Sequence, residues 1–393
     1  MKTRNFRWII SCAVVALSLF ACHDDGTDKR TRRTIIAYLA ADNSLNNDMS
    51  RNIDDMMLGM KQKDCRLIVY FDGFSSPPEL FEIVPVGRDT AERRHIVYYP
   101  EENSASPVTL RRVLEDARSY CPADSYGLVL GSHATGWLPA NAKLTTASLA
   151  ERLEEEGEEK PRTRAFGEDK NSGGAQMDVR EMAAAIPEGF EFIFFDACMM
   201  SSIEVFHELR AKTRYIIAPA AEIVAAGFPY AAILPYLWGD VNDLQKACEY
   251  FYNLHDKNDK NHFATITLVN AAELDGLFAV TRQVLQGKKN EVAAIPATAF
   301  PAEIFKYPRI NIPNDVYFDL REFIKYMATD DQFQRFESQL KKVVIYQNIT
   351  NPFWTAAIPD KSRACGISSY IPRDTWATWN TGYFQLSWAG VYQ

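Results

Sequence analysis

Short apolar segments alternate with amphipathic segments along most of this chain, and the alternation restricts the folds that it can adopt. Runs rich in strand-forming residues lie at 34–40, 65–71, 126–130, 190–195 and 215–218. Segments with helical spacing of apolar residues lie between them, at 47–60, 108–120 and 201–210. Strands that are buried on both faces form near-continuous apolar runs joined by helices. The pattern therefore predicts an α/β fold with helices on both sides of a mostly parallel sheet.

The last third of the chain repeats the alternation less regularly. Strand-like runs lie at 262–269 and 366–371, and helical spacing occurs at 241–254, 271–285, 318–327 and 332–346. We therefore assign residues 34–240 to a core domain and residues 241–393 to a C-terminal α/β subdomain packed on that core.

The composition excludes several classes of function. The chain has 393 residues, of which 47% are hydrophobic and 24% charged, as in ordinary globular proteins. Its net charge of −8 argues against a nucleic-acid partner, because phosphate-binding surfaces need a basic excess. None of the six histidines has the spacing of a metal-binding motif, and no CxxC pair is present. We therefore expect no metal and no other cofactor.

The first 22 residues have the pattern of an export signal. Three basic residues precede an apolar run at 8–20, which is too short to span a bilayer as a lone helix. Leu19-Phe-Ala-Cys22 resembles a bacterial lipobox, in which Cys22 would carry acyl chains that bind the membrane. The charged segment 23–33 predicts a tether. We expect an exported lipoprotein, anchored in the periplasm or at the cell surface. The alternative is an ordinary signal peptide with an incidental cysteine.

A long polar insertion, residues 139–174, separates two of the predicted core strands. Six glutamates lie within 151–159, and Lys160, Arg162 and Arg164 follow them. So polar a stretch inside a compact domain predicts an exposed or functional loop. A solvated surface helix would account for residues 147–156 and leave the rest unexplained.

Two predicted strands end at reactive side chains. His133 follows the run at 126–130, and Cys198 follows the run at 190–195. If these strands are neighbours in a parallel sheet, the thiol and the imidazole face one crevice, as an activated thiolate nucleophile requires. Cys198 also precedes the predicted helix 201–210, whose first amides would favour a thiolate. Taken singly, a buried cysteine or a structural histidine is the commoner outcome, so the prediction depends on their joint position.

The motifs around both residues resemble those of the clostripain-like cysteine peptidases, a family of the caspase-like clan. The most specific similarity is Phe195-Asp-Ala-Cys-Met-Met-Ser-Ser-Ile-Glu204, which resembles the cysteine motif of that family. Tyr126-Gly-Leu-Val-Leu-Gly-Ser-His-Ala-Thr-Gly-Trp137 resembles its histidine motif. Further similarities lie at 36–43, 165–169, 177–182, 227–230, 366–372 and 383–386. The resemblance implies a caspase-like α/β/α sandwich.

The resemblance also implies roles for individual residues. Cys198 would be the nucleophile and His133 the acid/base that protonates the leaving amine. The backbone N–H groups of Cys198 and Ala134 would bind the oxyanion. Asp196 would select Arg or Lys at the P1 position of a protein or peptide substrate, with Glu222 as a second acidic partner. The alternative for Asp196 is a carboxylate that caps a turn.

Members of the family are commonly cut between the histidine and cysteine motifs. The resemblance therefore implies self-cleavage within the 139–174 loop, at one of the basic residues Lys143, Arg152, Lys160, Arg162 and Arg164. Pro161 disfavours cleavage after Lys160. We favour Arg162 and Arg164, because the acidic run before them should keep the segment solvated. Some relatives require calcium, which no motif in this sequence supports. We expect the mature chain to act as a monomer.

Two departures from the family pattern keep other functions open. Ala134 stands where most members have glycine, and Ser132 stands where most have aspartate or asparagine. One alternative is therefore a non-catalytic surface lipoprotein that binds peptide or glycan on a degenerate peptidase fold. Another is a hydrolase that uses the same two residues on a non-peptide amide.

Overall fold

The computed structural model describes residues 31–87, 90–140, 166–257, 262–308, 316–354, 358, 360–374 and 377–393. Thr31–Gln393 form one compact unit. The predicted signal segment 1–22, the lipidation site Cys22 and all but the last three residues of the 23–33 tether lie outside the described residues. Residues 31–33 belong to the first strand rather than to a tether.

Strands and helices alternate as the sequence predicts. The strands are β1 (Thr31–Ala41), β2 (Cys65–Gly73), β3 (Ser76–Pro85), β4 (Ala91–Tyr98), β5 (Ala123–Gly131), β6 (Phe166–Asp169), β7 (Ala175–Met177), β8 (Phe190–Asp196), β9 (Thr213–Ala218), β10 (Thr265–Asn270), β11 (Phe318–Asp319), β12 (Val344–Ile349) and β13 (Ser368–Ser369). The α-helices are α1 (Asn46–Gly59), α2 (Pro107–Tyr120), α3 (Val179–Ala185), α4 (Ile203–Leu209), α5 (Tyr230–Leu237), α6 (Val241–Asp256), α7 (Leu274–Leu285), α8 (Lys289–Ala293), α9 (Leu320–Met327), α10 (Asp330–Val343) and α11 (Ala377–Tyr383).

A nine-stranded sheet forms the centre of the molecule, in the order β12-β10-β9-β8-β5-β1-β2-β3-β4. The five central strands, from β9 to β2, are parallel to one another. The outer strands on both sides are antiparallel. The predicted α/β sandwich around a mostly parallel sheet is therefore confirmed.

The sheet is buried on both faces, which explains its continuous apolar strands. Along β1, Ile36 and Tyr38 pack into the core on one face, while Ile35 and Leu39 pack into the core on the other. All four side chains are fully buried. Burying a side chain of this size contributes about 1.5–3 kcal/mol to the free energy of folding, so strands of this composition are stable only between two helical layers.

The last third of the chain continues the central sheet. β10 pairs with β9, and β12 pairs with β10 at the edge. The predicted C-terminal subdomain thus contributes two strands to the same sheet, instead of only packing against it. It also contacts the cysteine motif, because the Ser201 hydroxyl donates a hydrogen bond to the Gly366 carbonyl at 2.6 Å.

The described helices are all too short or too polar to cross a membrane.

Candidate active site

The two reactive side chains come from neighbouring strands. In the β5–β8 pairing Gly131 lies opposite Asp196, and the Ser132 N–H donates a hydrogen bond to the Asp196 carbonyl at 3.3 Å. His133 and Cys198 each follow this pair by two residues. They therefore leave the sheet side by side at its carboxyl edge, where α/β proteins bind ligands. The sequence predicted this neighbourhood, and the catalytic roles stay a prediction.

Cys198 is the most accessible of the five described cysteines. Its side chain is partly exposed, whereas those of Cys65, Cys121, Cys248 and Cys365 are buried, and none of the five is disulfide-bonded. Burial raises the pKa of the Cys65, Cys248 and Cys365 thiols, which lowers the fraction of reactive thiolate. Cys198 alone in the described part of the chain combines exposure with a position at the carboxyl edge.

The backbone around Cys198 is held by the segment 219–223. The N–H groups of Met199 and Ser201 donate hydrogen bonds to the carbonyls of Ala221 and Pro219, at 3.0 and 2.8 Å. The Ile223 N–H donates to the Cys198 sulfur at 3.4 Å. The Cys198 sulfur also lies 3.9 Å from the Ile223 carbonyl oxygen, so the backbone of Ile223 fixes the position of the thiol.

Met199 has a left-handed backbone conformation, with φ of 61°. For a residue with a side chain this costs about 1–3 kcal/mol, and such strain is concentrated at functional sites. The same residue contacts the histidine loop. A Cβ at Gly136, where φ is 63°, would lie 2.8 Å from the Met199 carbonyl oxygen. The loops that follow His133 and Cys198 are thus packed backbone against backbone.

The predicted helix 201–210 begins later than expected. α4 starts at Ile203, and the Ser202 hydroxyl caps it by accepting a hydrogen bond from the Val205 N–H. Cys198 is four residues before this cap. The left-handed turn at Met199 lies between the cysteine and the helix. The prediction that helix amides favour the thiolate stays a prediction.

His133 is partly exposed and is held on two sides. Its Nε2 lies 2.8 Å from the Ser44 hydroxyl oxygen, and its carbonyl accepts a hydrogen bond from the Gly167 N–H at 3.0 Å. In a trans peptide the carbonyl and the following N–H point in opposite directions. The Ala134 N–H therefore points away from β6, which is compatible with its predicted role toward the oxyanion.

The turn that follows β1 presents Ser44 to the histidine. Asn43 is fully buried, and its side-chain amide donates to the carbonyls of Ala40 and Glu168 at 2.9 and 3.0 Å. Its side-chain oxygen accepts from the Leu45 N–H at 2.9 Å, which closes a tight turn around Ser44. Ser44 is not among the site residues that the sequence predicts. The available signal was its position just past the strand that neighbours β5.

Asp196 is buried beneath the segment 227–230, with 1% of its surface exposed. The Tyr230 hydroxyl and the Asn52 amide donate hydrogen bonds to its Oδ2, at 2.9 and 3.3 Å. Its Oδ1 makes no hydrogen bond of good geometry within the described part of the chain. Burial raises the pKa of Asp196 to about 6, although the Tyr230 hydroxyl and the Phe228 N–H act in the opposite direction.

Gly227 and Glu222 lie in two different segments that follow β9. Gly227 packs directly on Asp196, since a Cβ there would lie 2.7 Å from both carboxylate oxygens. Glu222 lies in the segment that holds Cys198 and is partly buried. The structure thus places the turn 227–230 against Asp196. The roles of Asp196 and Glu222 toward a P1 side chain stay predictions.

The polar insertion 139–174 is only partly a loop. The predicted cleavage candidates Lys143, Arg152, Lys160, Arg162 and Arg164 lie outside the described residues. Residues 166–174 belong to the stretch for which the sequence predicts an exposed or functional loop, but they contain β6, and both Phe166 and Asp169 are fully buried. The reason is pairing: Phe166 lies opposite Ala134, and Asp169 accepts a hydrogen bond from the Ser104 N–H at 2.7 Å.

Several acidic side chains also lie near this edge. Asp72 at the end of β2 is fully buried, and burial raises its pKa to about 8. Within the described ranges no group of three or more His, Cys, Asp or Glu side chains is arranged to hold a metal ion. The expectation that the chain needs no cofactor stays a prediction.

A thiol and an imidazole on adjacent strand ends of such a sandwich are the arrangement of a cysteine hydrolase. The family model described as the clostripain family matches residues 37–387, and the chain belongs to this family. No curated protein matches. The fold and this membership establish a cysteine peptidase of the caspase-like type that acts on peptide substrates.

Solved structures support the same assignment. One is an inactive zymogen of a C11 protease from Parabacteroides distasonis, with 28% identity over 93% of this chain and 99% of that chain and a TM-score of 0.76. Another is a secreted C11 cysteine protease from Bacteroides thetaiotaomicron in complex with an irreversible peptide inhibitor. It has 26% identity over 92% of this chain and 98% of that chain, with a TM-score of 0.75.

Proposed function

We propose that the protein is a cysteine endopeptidase that hydrolyses peptide bonds through Cys198 and His133. The observation that carries the proposal is the β5–β8 register, which brings both residues to the same edge of the sheet. The partial exposure of Cys198 supports it, since the other described cysteines are buried. No observation favours the alternatives of a peptide- or glycan-binding surface protein or of a non-peptide amidase.

The reaction follows from the groups around the two residues. The Cys198 thiolate attacks the scissile carbonyl and forms a tetrahedral oxyanion. The backbone N–H groups of Ala134 and Cys198 donate to that oxygen. His133 gives its proton to the leaving amine, the C–N bond breaks, and a thioester remains on Cys198. Water, deprotonated by His133, then attacks the thioester, the C–S bond breaks, and the Cys198 thiolate and the protonated imidazole are restored.

We further propose cleavage after Arg or Lys, with Asp196 at the base of the P1 pocket. Its Oδ2 is used by Tyr230 and Asn52, whereas its Oδ1 is left for a cationic side chain. A buried carboxylate attracts a guanidinium or ammonium group strongly because little solvent screens the pair. A P1 side chain would reach it beside Gly227, and Glu222 would act as a second acidic partner nearer the surface.

Self-cleavage within the 139–174 insertion is part of the same proposal. The described residues that border the candidate bonds lie close to the histidine motif. Ala140 donates a backbone hydrogen bond to Asp178 at 2.7 Å, and Phe166 pairs with Ala134. Because both borders of the candidate segment are held near the histidine motif, we expect the reaction to be intramolecular, which proximity favours.

For the N-terminal part we propose export and lipid anchoring through Cys22. The support is the sequence pattern of residues 1–22, with its basic start, apolar run and lipobox-like end. The compact unit that begins at Thr31 would then be displayed as a monomer at a membrane surface, in the periplasm or outside the cell. Mass spectrometry of the mature N-terminus tests this proposal. A mature chain that begins at another residue and carries no acyl chains would contradict it.

A reporter assay tests the catalytic proposal. Short peptide substrates with Arg, Lys or Ala at P1 are offered to the wild type, Cys198→Ala, His133→Ala and the matched control Cys248→Ala. We expect thiol-dependent turnover that falls by about 10³-fold or more in the first two variants and persists in the control. Wild-type turnover no higher than that of Cys198→Ala across a broad peptide library would refute the proposal.

A further inference from the structure

The imidazole of His133 has a side-chain partner on another strand. The Ser44 hydroxyl oxygen lies 2.8 Å from His133 Nε2, although 89 residues separate the two in the chain. At this distance the hydroxyl and the ring nitrogen form a hydrogen bond. Ser44 follows β1, which is the neighbour of β5 on the side opposite to β8. His133 is therefore flanked by the cysteine strand on one side and by Ser44 on the other.

The frame that holds this pair is rigid. Asn43 is fully buried and fixes the turn from inside through its bonds to Ala40, Glu168 and Leu45. The Ser132 hydroxyl donates a hydrogen bond to the Ala40 carbonyl at 2.7 Å, so the end of β5 is tied directly to the end of β1. The turn after β1 and the end of β5 thus set the distance between Ser44 and the imidazole. Because both segments are already ordered, holding the ring in one orientation costs less entropy.

We propose that Ser44 is a positioning residue for His133. Its oxygen accepts the Nε2 proton of the imidazole and holds the ring so that Nδ1 serves the reaction. In the acylation step the proton moves from Nδ1 to the leaving amine, while the Nε2 proton stays in its bond to Ser44. The same bond stabilises the cationic imidazole that exists before this transfer. The proposal rests on the proposed function, because it concerns the acid/base of that reaction.

A role of Ser44 in orienting the His133 ring has kinetic effects different from those of a role in binding substrate. Ser44 contacts the ring nitrogen and supplies no group to the reacting atoms, so its removal changes the fraction of productive ring orientations. We therefore expect kcat to fall while KM stays nearly constant. A hydrogen bond to a charged group contributes more than a neutral one, and the partial exposure of this pair reduces the effect. Together these considerations predict a loss of about 5- to 30-fold in kcat for Ser44→Ala.

The test compares four variants of the full chain on one peptide reporter. Ser44→Ala removes the hydroxyl, and Ser44→Thr keeps it, so the threonine variant is expected to recover kcat to within about threefold of the wild type. Ser75→Ala is the matched control, since Ser75 is exposed in the turn after β2 at the same edge of the sheet. Cys198→Ala reports whether the measured turnover belongs to the proposed site at all. Thermal unfolding of each variant checks that the fold is unchanged.

Each outcome is decisive. A wild-type kcat in Ser44→Ala, with Cys198→Ala inactive, overturns the role of Ser44 and leaves the proposed peptidase function standing. An equal loss in the alanine and threonine variants, at unchanged stability, also overturns it, because the shape of the turn rather than the hydroxyl would then matter. Full activity of Cys198→Ala would refute the proposed function, and the role of Ser44 would fall with it. A loss in alanine that threonine rescues supports the proposal.

Discussion

Replacing Asp196 by asparagine tests whether this carboxylate determines specificity. Asparagine has the same shape and keeps an oxygen toward Tyr230 and Asn52, so the change removes the charge with little effect on packing. Because 1% of Asp196 is exposed, solvent does not screen its interaction with a P1 cation. Losing the partner of such a desolvated charge costs about 2–5 kcal/mol, which corresponds to about 30- to 4,000-fold in kcat/KM.

The assay compares kcat/KM for Arg, Lys and Ala reporters. We expect the stated loss for Arg and Lys and less than about threefold for Ala. The exposed aspartate Asp54 provides the control, since its ion pair with Arg93 lies at the surface and Asp54→Asn changes little. An equal loss on all three reporters would refute the specificity argument and leave Asp196 as a structural support of the 227–230 turn.

The pH dependence of the same comparison follows from the raised pKa of Asp196, about 6. Below this pH the carboxyl is protonated and neutral, so the preference for Arg over Ala should decline as pH falls through 6.

The free energy of unfolding depends on the protonation of Asp196 in the direction opposite to that of a salt-bridged acid. The folded state prefers the neutral form, and stability is lost as pH rises from about 4 to about 6. Asp196→Asn should therefore raise the free energy of unfolding at pH 7.5 by up to about 3 kcal/mol.

Three further predictions concern reactivity, packing and processing. Cys198 should be alkylated by iodoacetamide at least about tenfold faster than the buried cysteines, and mass spectrometry of briefly labelled native protein would show equal labelling if this is wrong. Gly227→Ala should lower the free energy of unfolding by about 1–3 kcal/mol, because a methyl group there meets both Asp196 oxygens. Gly173→Ala is its control, since that glycine also has a positive φ but nothing lies within 4 Å of the added Cβ, so equal losses would exclude crowding as the cause. Wild type should cut itself after Arg162 or Arg164 into fragments of roughly 140 and 230 residues, while Cys198→Ala stays intact. Terminal sequencing decides this, and cleavage that persists in Cys198→Ala would indicate a contaminating protease.

The central strands and the two reactive residues were predictable because they obey rules that act along the chain. A strand buried on both faces needs apolar residues at every position, and the run Phe192-Ile-Phe-Phe195 meets this condition. His133 and Cys198 follow such runs directly. Once the strands are parallel neighbours, their carboxyl ends must share one edge.

Features that depend on distant contacts were not predictable. The helix expected at 332–346 ends at Val343, and Val344–Ile349 form β12, because pairing with β10 outweighs the helical spacing of the preceding residues. Phe166 lies in a polar stretch but is buried by pairing with Ala134. Ser44 lies just past a strand-like run, but its contact with His133 depends on the order of the strands, which no local pattern gives.

The strand order divides the sheet at a single place. The strands before the insertion form one half of this sheet, β5-β1-β2-β3-β4, and four strands that follow the insertion form the other, β12-β10-β9-β8. The β5–β8 seam is where the halves meet and where His133 and Cys198 lie. A chain cut within the insertion could no longer refold as one molecule after denaturation. Its two pieces would expose complementary strand edges and would regain the seam in a second-order reaction, whose rate falls with dilution and competes with aggregation.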